Sequence, residues 1–141
     1  MRIHVPLAFV AALMLAVPAW AAQPGLMKKS GPVFAPLSMK STSHAFQKNP
    51  SGGIQQILAK DRKDKALISD IRNHLLIEAG SFGDGDYGKS KAARYLGKVK
   101  PAEIAITYRE LPAGAAVDYV GRDAAAVDAI HQWFDAELDQ D

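Results

Sequence analysis

Two helical pairs of histidine and carboxylate are the residues of this chain best suited to hold a ligand or a metal ion. His74 is followed four residues later by Glu78, and His131 by Asp135. On a helix this spacing places both side chains of a pair on one face, within contact distance. Imidazole and carboxylate suit divalent copper or zinc, and the chain contains no cysteine that would provide a thiolate instead.

A third histidine, His44, lies in a segment that alternates like a β-strand. The sequence therefore predicts a weak copper or zinc site in which the histidines ligate the ion and the carboxylates assist. This set comprises His44, His74, His131, Glu78 and Asp135. The alternative is that each helical histidine lies half-buried at the edge of an apolar stripe and bonds only to its neighbour. The metal site requires the histidines to converge, which the sequence does not determine.

Two further features bear on binding partners. Trp133 lies on the flank of the apolar stripe of its predicted helix, where it covers either the core, a pocket or a protein partner. The 17 basic and 15 acidic residues nearly balance, which argues against a nucleic-acid partner. Basic residues cluster in 89–100, and we expect this connection to be a solvated loop.

The first 22 residues have the pattern of a secretory signal peptide. A short basic start precedes an apolar run over residues 7–17, and Ala19-Trp20-Ala21 provides the small residues that signal peptidase requires. We expect cleavage near Ala21 or Ala22 and a periplasmic or secreted protein. The apolar run is shorter than the about 20 residues that span a bilayer, and no second run of that length follows.

The remaining chain has the size of one small domain. Residues 23–40 are rich in proline and glycine and predict an extended or disordered arm, and residues 41–141 predict a single domain. Alternating residues predict strands over 41–48 and 54–60, followed by a helix capped by Asp61 or Asp64. The second half repeats this order, with strands over 103–110 and 115–120 and a helix that begins at Asp123 and buries Val127, Ile130, Phe134 and Leu138.

We therefore predict an α+β fold of the order ββαββα, in which two hairpin-helix units form a four-stranded antiparallel sheet with both helices on one face. Residues 71–78 align with 130–137 after a three-residue indel, which indicates a degenerate internal repeat, with coincidence as the alternative. Gly52, Gly53 and Gly114 are expected to adopt positive φ in tight turns.

Several short stretches carry a resemblance to known proteins. They are Ser43-His44-Ala45-Phe46, residues 52–56, 71–75 and 85–87, Tyr108 to Pro112, and residues 130–136. On these stretches the chain resembles a family of short exported bacterial proteins commonly labelled aspartate carbamoyltransferase. The resemblance covers roughly residues 43–138 and implies an exported protein loosely associated with heavy-metal handling.

The family label does not predict carbamoyltransferase activity for this chain. Such enzymes are larger two-domain α/β proteins that hold carbamoyl phosphate with a Ser-Thr-Arg-Thr loop, and Ser41-Thr42-Ser43-His44 lacks the arginine. We expect a small binding or accessory protein, with a hydrolase or transferase that uses a histidine base as the alternative. The enzyme would need a pocket with a nucleophile or acid within hydrogen-bond reach of a histidine.

Overall fold

The structure is a computed structural model that describes residues 37–140. The predicted signal peptide, most of the predicted arm and residue 141 lie outside the described residues. The elements in chain order are β1 (Thr42–Asn49), β2 (Gly52–Ala59), α1 (Lys65–Gly83), two 3₁₀ helices (Ala93–Lys98 and Pro101–Glu103), β3 (Ile104–Leu111), β4 (Gly114–Gly121) and α2 (Ala124–Leu138). The strands form one antiparallel sheet of order β1-β2-β4-β3, which confirms the predicted α+β fold.

The second unit repeats the first with unchanged strand lengths. Strand β1 begins at Thr42 and β3 begins 62 residues later at Ile104, and the same offset relates every strand boundary of the two hairpins. The helices α1 and α2 begin 59 residues apart, so the predicted three-residue indel lies between each hairpin and its helix. Because β2 and β4 pair antiparallel at the centre of the sheet, the two units are related by a pseudo-two-fold axis.

Both helices begin at the aspartates that the sequence indicates. Asp64 accepts a hydrogen bond from the backbone N–H of Leu67 at 2.9 Å, and Asp123 accepts one from Ala126 at 2.8 Å. Asp61 instead accepts from Lys63 in the preceding turn. Helix α1 contacts β2, β3 and β4, whereas α2 contacts β1, β2 and β4, so each helix reaches the hairpin of the other unit. Within residues 37–140, no helix combines the length and apolarity needed to cross a membrane.

An aromatic cluster fills the core under α2. The Trp133 ring is 1% exposed and meets the rings of Phe46, Phe82, Tyr119 and Phe134 edge-on. Trp133 is therefore a core residue, the first of the alternatives that the sequence left open. Leu138, predicted to be buried, is instead 49% exposed.

The basic connection between the units is also more ordered than predicted. Ala92, Ala93 and Leu96 are buried, and the first 3₁₀ helix packs against α2. The lysines of this segment remain exposed on its outer side. The small apolar residues between the charges thus close one side of the core.

The hairpin glycines are required by close backbone approach. Among the described residues only Gly52, Gly85 and Gly88 have positive φ, so the prediction of positive φ for Gly53 and Gly114 is wrong. A Cβ atom on Gly114 would overlap the carbonyl oxygen of Ile57. One on Gly52 would overlap the carbonyl oxygen of Tyr119, the equivalent contact in the other unit.

Candidate functional site

A cavity of about 180 Å³ lies between α1 and α2 on the side of the first hairpin. We call it the interhelical cavity. Its lining residues are His44, Phe46, Gln55, Ile57, His74, Glu78, Phe82, Ser90, Trp133 and Glu137. Two imidazoles, two carboxylates and three aromatic rings therefore surround one small space.

A chain of hydrogen bonds fixes the Glu78 carboxylate at the edge of this cavity. The Tyr119 hydroxyl donates to Gln55 Oε1 at 2.9 Å, and Gln55 Nε2 donates to Glu78 Oε1 at 2.8 Å. Gln55 and Tyr119 are buried, and His74 Nε2 lies 3.6 Å from Glu78 Oε2. Because the Gln55 amide both accepts and donates, it links the buried Tyr119 hydroxyl to the Glu78 carboxylate.

The second carboxylate comes from the equivalent position of α2. Helices α1 and α2 begin 59 residues apart, so Glu78 corresponds to Glu137 and His74 corresponds to Trp133. The indole N–H of Trp133 donates to Glu137 Oε1 at 3.0 Å, so each helix carries an i,i+4 pair of nitrogen ring and carboxylate. The pseudo-two-fold axis brings both pairs to the same cavity.

The buried Tyr119 hydroxyl lies within the field of both carboxylates. Burial raises the pKa of Tyr119 well above its usual value, and the negative charges of Glu78 and Glu137 raise it further. The negative charges of two carboxylates, one on each helix, therefore act on one buried hydroxyl group.

Thr42 determines the tautomer of His44. The Thr42 hydroxyl lies 2.8 Å from the Ser38 carbonyl oxygen and 3.0 Å from His44 Nε2. A carbonyl oxygen only accepts, so Thr42 gives its single proton to Ser38 and accepts from Nε2–H of His44. Thr42 is also 1% exposed. It therefore supports the histidine and is not a nucleophile activated by it.

His131 is directed away from the interhelical cavity. Its Nε2 lies 2.9 Å from the carbonyl oxygen of Asn49 and 2.8 Å from that of Gly52. Both oxygens only accept, so this nitrogen carries a hydrogen and holds the first hairpin turn. The lone pair that a metal would need at Nε2 is thus absent.

Asp135 does not pair with His131 either. Its carboxylate forms an ion pair with Lys48 at 2.6 Å on the surface. Of the five predicted metal ligands, His44, His74 and Glu78 line the cavity, and His131 and Asp135 do not. No three His, Cys, Asp or Glu residues within 37–140 are grouped as a metal site would need, so the predicted five-residue centre is not assembled.

Several cavity residues escape recognition in the sequence. Glu137 has the repeat alignment as its signal, because it falls opposite Glu78, but it also resembles an ordinary surface charge near the end of a helix. Phe46 and Gln55 lie in β1 and β2. Which side chains of these strands face the core depends on the register of strand pairing. Ser90 lies in the connection between the units, where no periodicity guides prediction.

The cavity lining combines negative charge with neutral hydrogen-bond donors. No lysine or arginine is among the described residues that line it. The Gln55 amide donates to the Glu78 carboxylate, and the Trp133 indole donates to the Glu137 carboxylate. Such a site can bind a small polar ligand and orient it against the aromatic walls. A comparison of the chain with protein-family models, curated proteins and solved structures finds no match.

Proposed function

We propose that this protein is a non-enzymatic binding protein of the periplasm or cell exterior, which takes a small ligand into the interhelical cavity. The observation that carries the proposal is the convergence of two carboxylates, two imidazoles and three aromatic rings on one cavity. Convergent polar groups within an otherwise apolar, concave site are the usual composition of a ligand pocket. Export rests on the predicted signal peptide.

The hydroxyl groups in and beside the cavity are hydrogen-bonded to the backbone, which favours binding over catalysis. Ser90 is the one hydroxyl among the described lining residues, and its oxygen accepts a hydrogen bond from the backbone N–H of Ala93 at 3.1 Å. The Thr42 proton is given to a carbonyl oxygen. The alternative function is a small hydrolase or transferase that uses His74 as its base, because the Glu78 carboxylate lies 3.6 Å from the Nε2 atom of that ring.

An activity assay separates these two functions. We expect the purified mature chain to hydrolyse p-nitrophenyl acetate no faster than a His44→Ala, His74→Ala double variant does. We also expect no N-carbamoylaspartate from carbamoyl phosphate and aspartate. A rate that exceeds that of the double variant at least tenfold, with saturation in substrate, would replace the binding function with the enzymatic one.

Binding itself is tested by calorimetry with a defined set of small molecules. The set comprises n-butylamine, butyrate, 1-butanol, zinc(II) and copper(II), so that charge varies while the organic chain length is kept. We expect saturable heat from at least one of them. Absence of binding by all five, in protein that melts cooperatively, contradicts the proposed function.

Substitutions at the edge of the cavity locate the binding. Ser90 is exposed, and Ser90→Phe places a large ring at that edge, whereas Ser90→Ala removes the hydroxyl and leaves the space open. We expect the phenylalanine variant to lose binding and the alanine variant to keep it. Equal binding by both variants would place the ligand elsewhere on the protein.

A further inference from the structure

We propose that the edge of the sheet at β3 is the interface of a homodimer, in which β3 pairs antiparallel with β3 of a second copy of this chain. The two sheets join across this edge into one continuous antiparallel sheet. The two-fold axis passes beside Thr107, so the Thr107 residues of the two copies lie opposite each other. The interface involves none of the described residues that line the interhelical cavity.

The backbone of β3 presents hydrogen-bonding groups along an open edge. The strand order β1-β2-β4-β3 places β3 at one side of the sheet. The Arg122 N–H donates to the Glu103 carbonyl oxygen at 2.8 Å, so in β3 the odd-numbered residues direct their backbone groups toward β4. Ile106, Tyr108 and Glu110 direct theirs outward, and within residues 37–140 no other backbone group bonds to them. An antiparallel partner strand would pair this row of groups.

Strand β3 lacks the features that usually prevent edge strands from pairing, which include lysine, proline and bulges. It pairs with β4 at every residue from Ile104 to Leu111 without a bulge, and it contains no lysine or proline. The opposite edge strand, β1, carries Lys48, and its first residue, Thr42, already donates its backbone N–H to Ser38 at 3.0 Å. The edge at β3 is therefore the one open to a partner.

The sequence of β3 is complementary to itself around Thr107. With the axis at this residue, Ile106 of each copy lies opposite Tyr108 of the other. Pairs of a β-branched and an aromatic residue, and pairs of threonines, are among the cross-strand pairs that stabilise antiparallel strands. The two-fold symmetry makes each Ile–Tyr pair twice. These pairs identify a second copy of the chain as the partner.

The charges of β3 also permit this pairing. Arg109 of one copy lies opposite Ala105 of the other, and Glu110 lies opposite Ile104, so no like charges face each other directly. An axis one residue further along would instead place Pro112, which has no N–H, opposite Ile104. The register centred on Thr107 therefore retains the most hydrogen bonds.

An exposed leucine on α1 lies beside the same edge. The Leu76 side chain is 53% exposed. It follows Arg72 by one helical turn, and the Arg72 guanidinium donates to the Leu111 carbonyl oxygen at 2.8 Å, so this flank of α1 faces the end of β3. The chain just after α1 meets the start of β3, because a Cβ atom on Gly85 would lie 2.7 Å from the Pro101 ring. In the dimer, both copies of α1 flank the junction of the sheets and shield Leu76 from water.

Sedimentation equilibrium of the purified mature chain tests the interface. We expect a monomer–dimer equilibrium that Thr107→Lys weakens at least tenfold, because the two lysines would lie directly opposite each other. Gln47→Lys is the matched control, since it adds the same charge at an exposed position of β1 and should leave the dimer unchanged. A wild-type chain that stays monomeric up to millimolar concentration would overturn the proposal. Equal dimerisation of both lysine variants would also overturn it.

A second pair of variants tests the contribution of α1. Leu76→Ser removes the exposed side chain beside β3, and we expect it to weaken the dimer at least tenfold. Leu138 is similarly exposed, at 49%, but belongs to α2, which packs over β1, β2 and β4. Leu138→Ser should therefore leave the dimer unchanged. A dimer that is weakened by Leu138→Ser and not by Leu76→Ser would place the interface elsewhere and refute the proposal.

Cysteine cross-linking tests the register. The chain has no cysteine, so a single introduced thiol can form a disulfide only with a second copy. In the proposed register the two residues at position 107 form a non-hydrogen-bonded pair with Cα atoms about 4.5 Å apart, which permits a disulfide. Diamide oxidises two thiols to one disulfide and is itself reduced to the hydrazine. We expect it to cross-link Thr107→Cys and to leave Gln47→Cys monomeric on a non-reducing gel. Cross-linking of Gln47→Cys alone, or of neither variant, would refute the assigned interface.

Discussion

Arg72 and His131 occupy equivalent positions in α1 and α2, and each donates to two backbone carbonyl oxygens in the hairpin turn of the other unit. The Arg72 guanidinium forms bonds of 3.1 and 2.8 Å, and His131 Nε2 forms bonds of 2.9 and 2.8 Å. The accepting oxygens belong to Leu111 and Gly114 in one turn and to Asn49 and Gly52 in the other. A planar donor at this helix position therefore ties each unit to its neighbour.

This relationship predicts which substitutions His131 tolerates. His131→Ala removes the donor from two carbonyl oxygens and should lower the free energy of unfolding by about 1 to 3 kcal/mol. His131→Arg copies the residue of the other unit and should recover at least half of that loss. Urea unfolding of both variants measures the difference, with Asp128→Ala on the exposed side of α2 as the control. Equal stability of His131→Ala and wild type would contradict the structural role.

The central glycines give a second stability prediction. Gly52→Ala and Gly114→Ala place a Cβ atom against a carbonyl oxygen of the neighbouring central strand, and each should destabilise the fold by about 3 kcal/mol or more. Gly80→Ala is the matched control, because nothing outside the adjacent backbone of helix α1 lies within 4 Å of its Cβ position. That change should stabilise by about 0.5 to 1 kcal/mol. If Gly52→Ala or Gly114→Ala melted at the same temperature as Gly80→Ala or higher, the close contacts of the central glycines would be contradicted.

The sequence predicts the order of elements because local signals suffice for it. Alternation in β3 and the capping aspartates Asp64 and Asp123 depend only on neighbouring residues. The buried face of α2 is harder to predict, since hydrophobicity favours Val127 and Leu138. The structure instead buries Ala126 and Ala129, whose small side chains let the helix approach the sheet, and this turns Trp133 inward.

The candidate site is predicted only in part. His74 and Glu78 form a local i,i+4 pair, and both line the cavity. The orientation of His131 depends on carbonyl oxygens 79 and 82 residues earlier in the chain, at Gly52 and Asn49, so no local pattern reveals it. The convergence of Glu78 with Glu137 likewise follows from the pseudo-two-fold packing of the whole domain.

Tyr119 predicts a stability difference that depends on pH. Tyr119→Phe leaves Gln55 Oε1 without its donor and should cost about 1 to 3 kcal/mol near neutral pH. The raised pKa of the folded tyrosine means that the unfolded chain loses this proton first. The contribution of the Tyr119 hydroxyl to the free energy of unfolding is therefore constant below about pH 10. It is lost as the pH rises above this value, by about 1.4 kcal/mol per pH unit.

The Tyr119→Phe variant has no hydroxyl to ionise at this position. The difference in unfolding free energy between wild type and this variant, here called the stability gap, should therefore narrow between pH 10 and 11. Urea unfolding at one-half-unit pH steps from 8 to 11 measures this gap. Tyr95→Phe, at a partly buried ring, is the control and should keep the slope of wild type. A constant gap across this range would place the Tyr119 hydroxyl in an environment similar to water.

Metal titration of a His131 variant tests the centre that the sequence predicts. His131 Nε2 carries the hydrogen that binds two carbonyl oxygens, so a ligated zinc(II) or copper(II) ion does not use this nitrogen. His131→Arg keeps a donor for these oxygens and removes the imidazole, because arginine lacks a lone pair for a metal. We expect calorimetric curves for zinc(II) and copper(II) at pH 7 to be the same for wild type and His131→Arg, whether they are flat or saturable. Weaker binding by His131→Arg would restore His131 as a metal ligand and contradict the backbone hydrogen bonds that the structure assigns to this histidine.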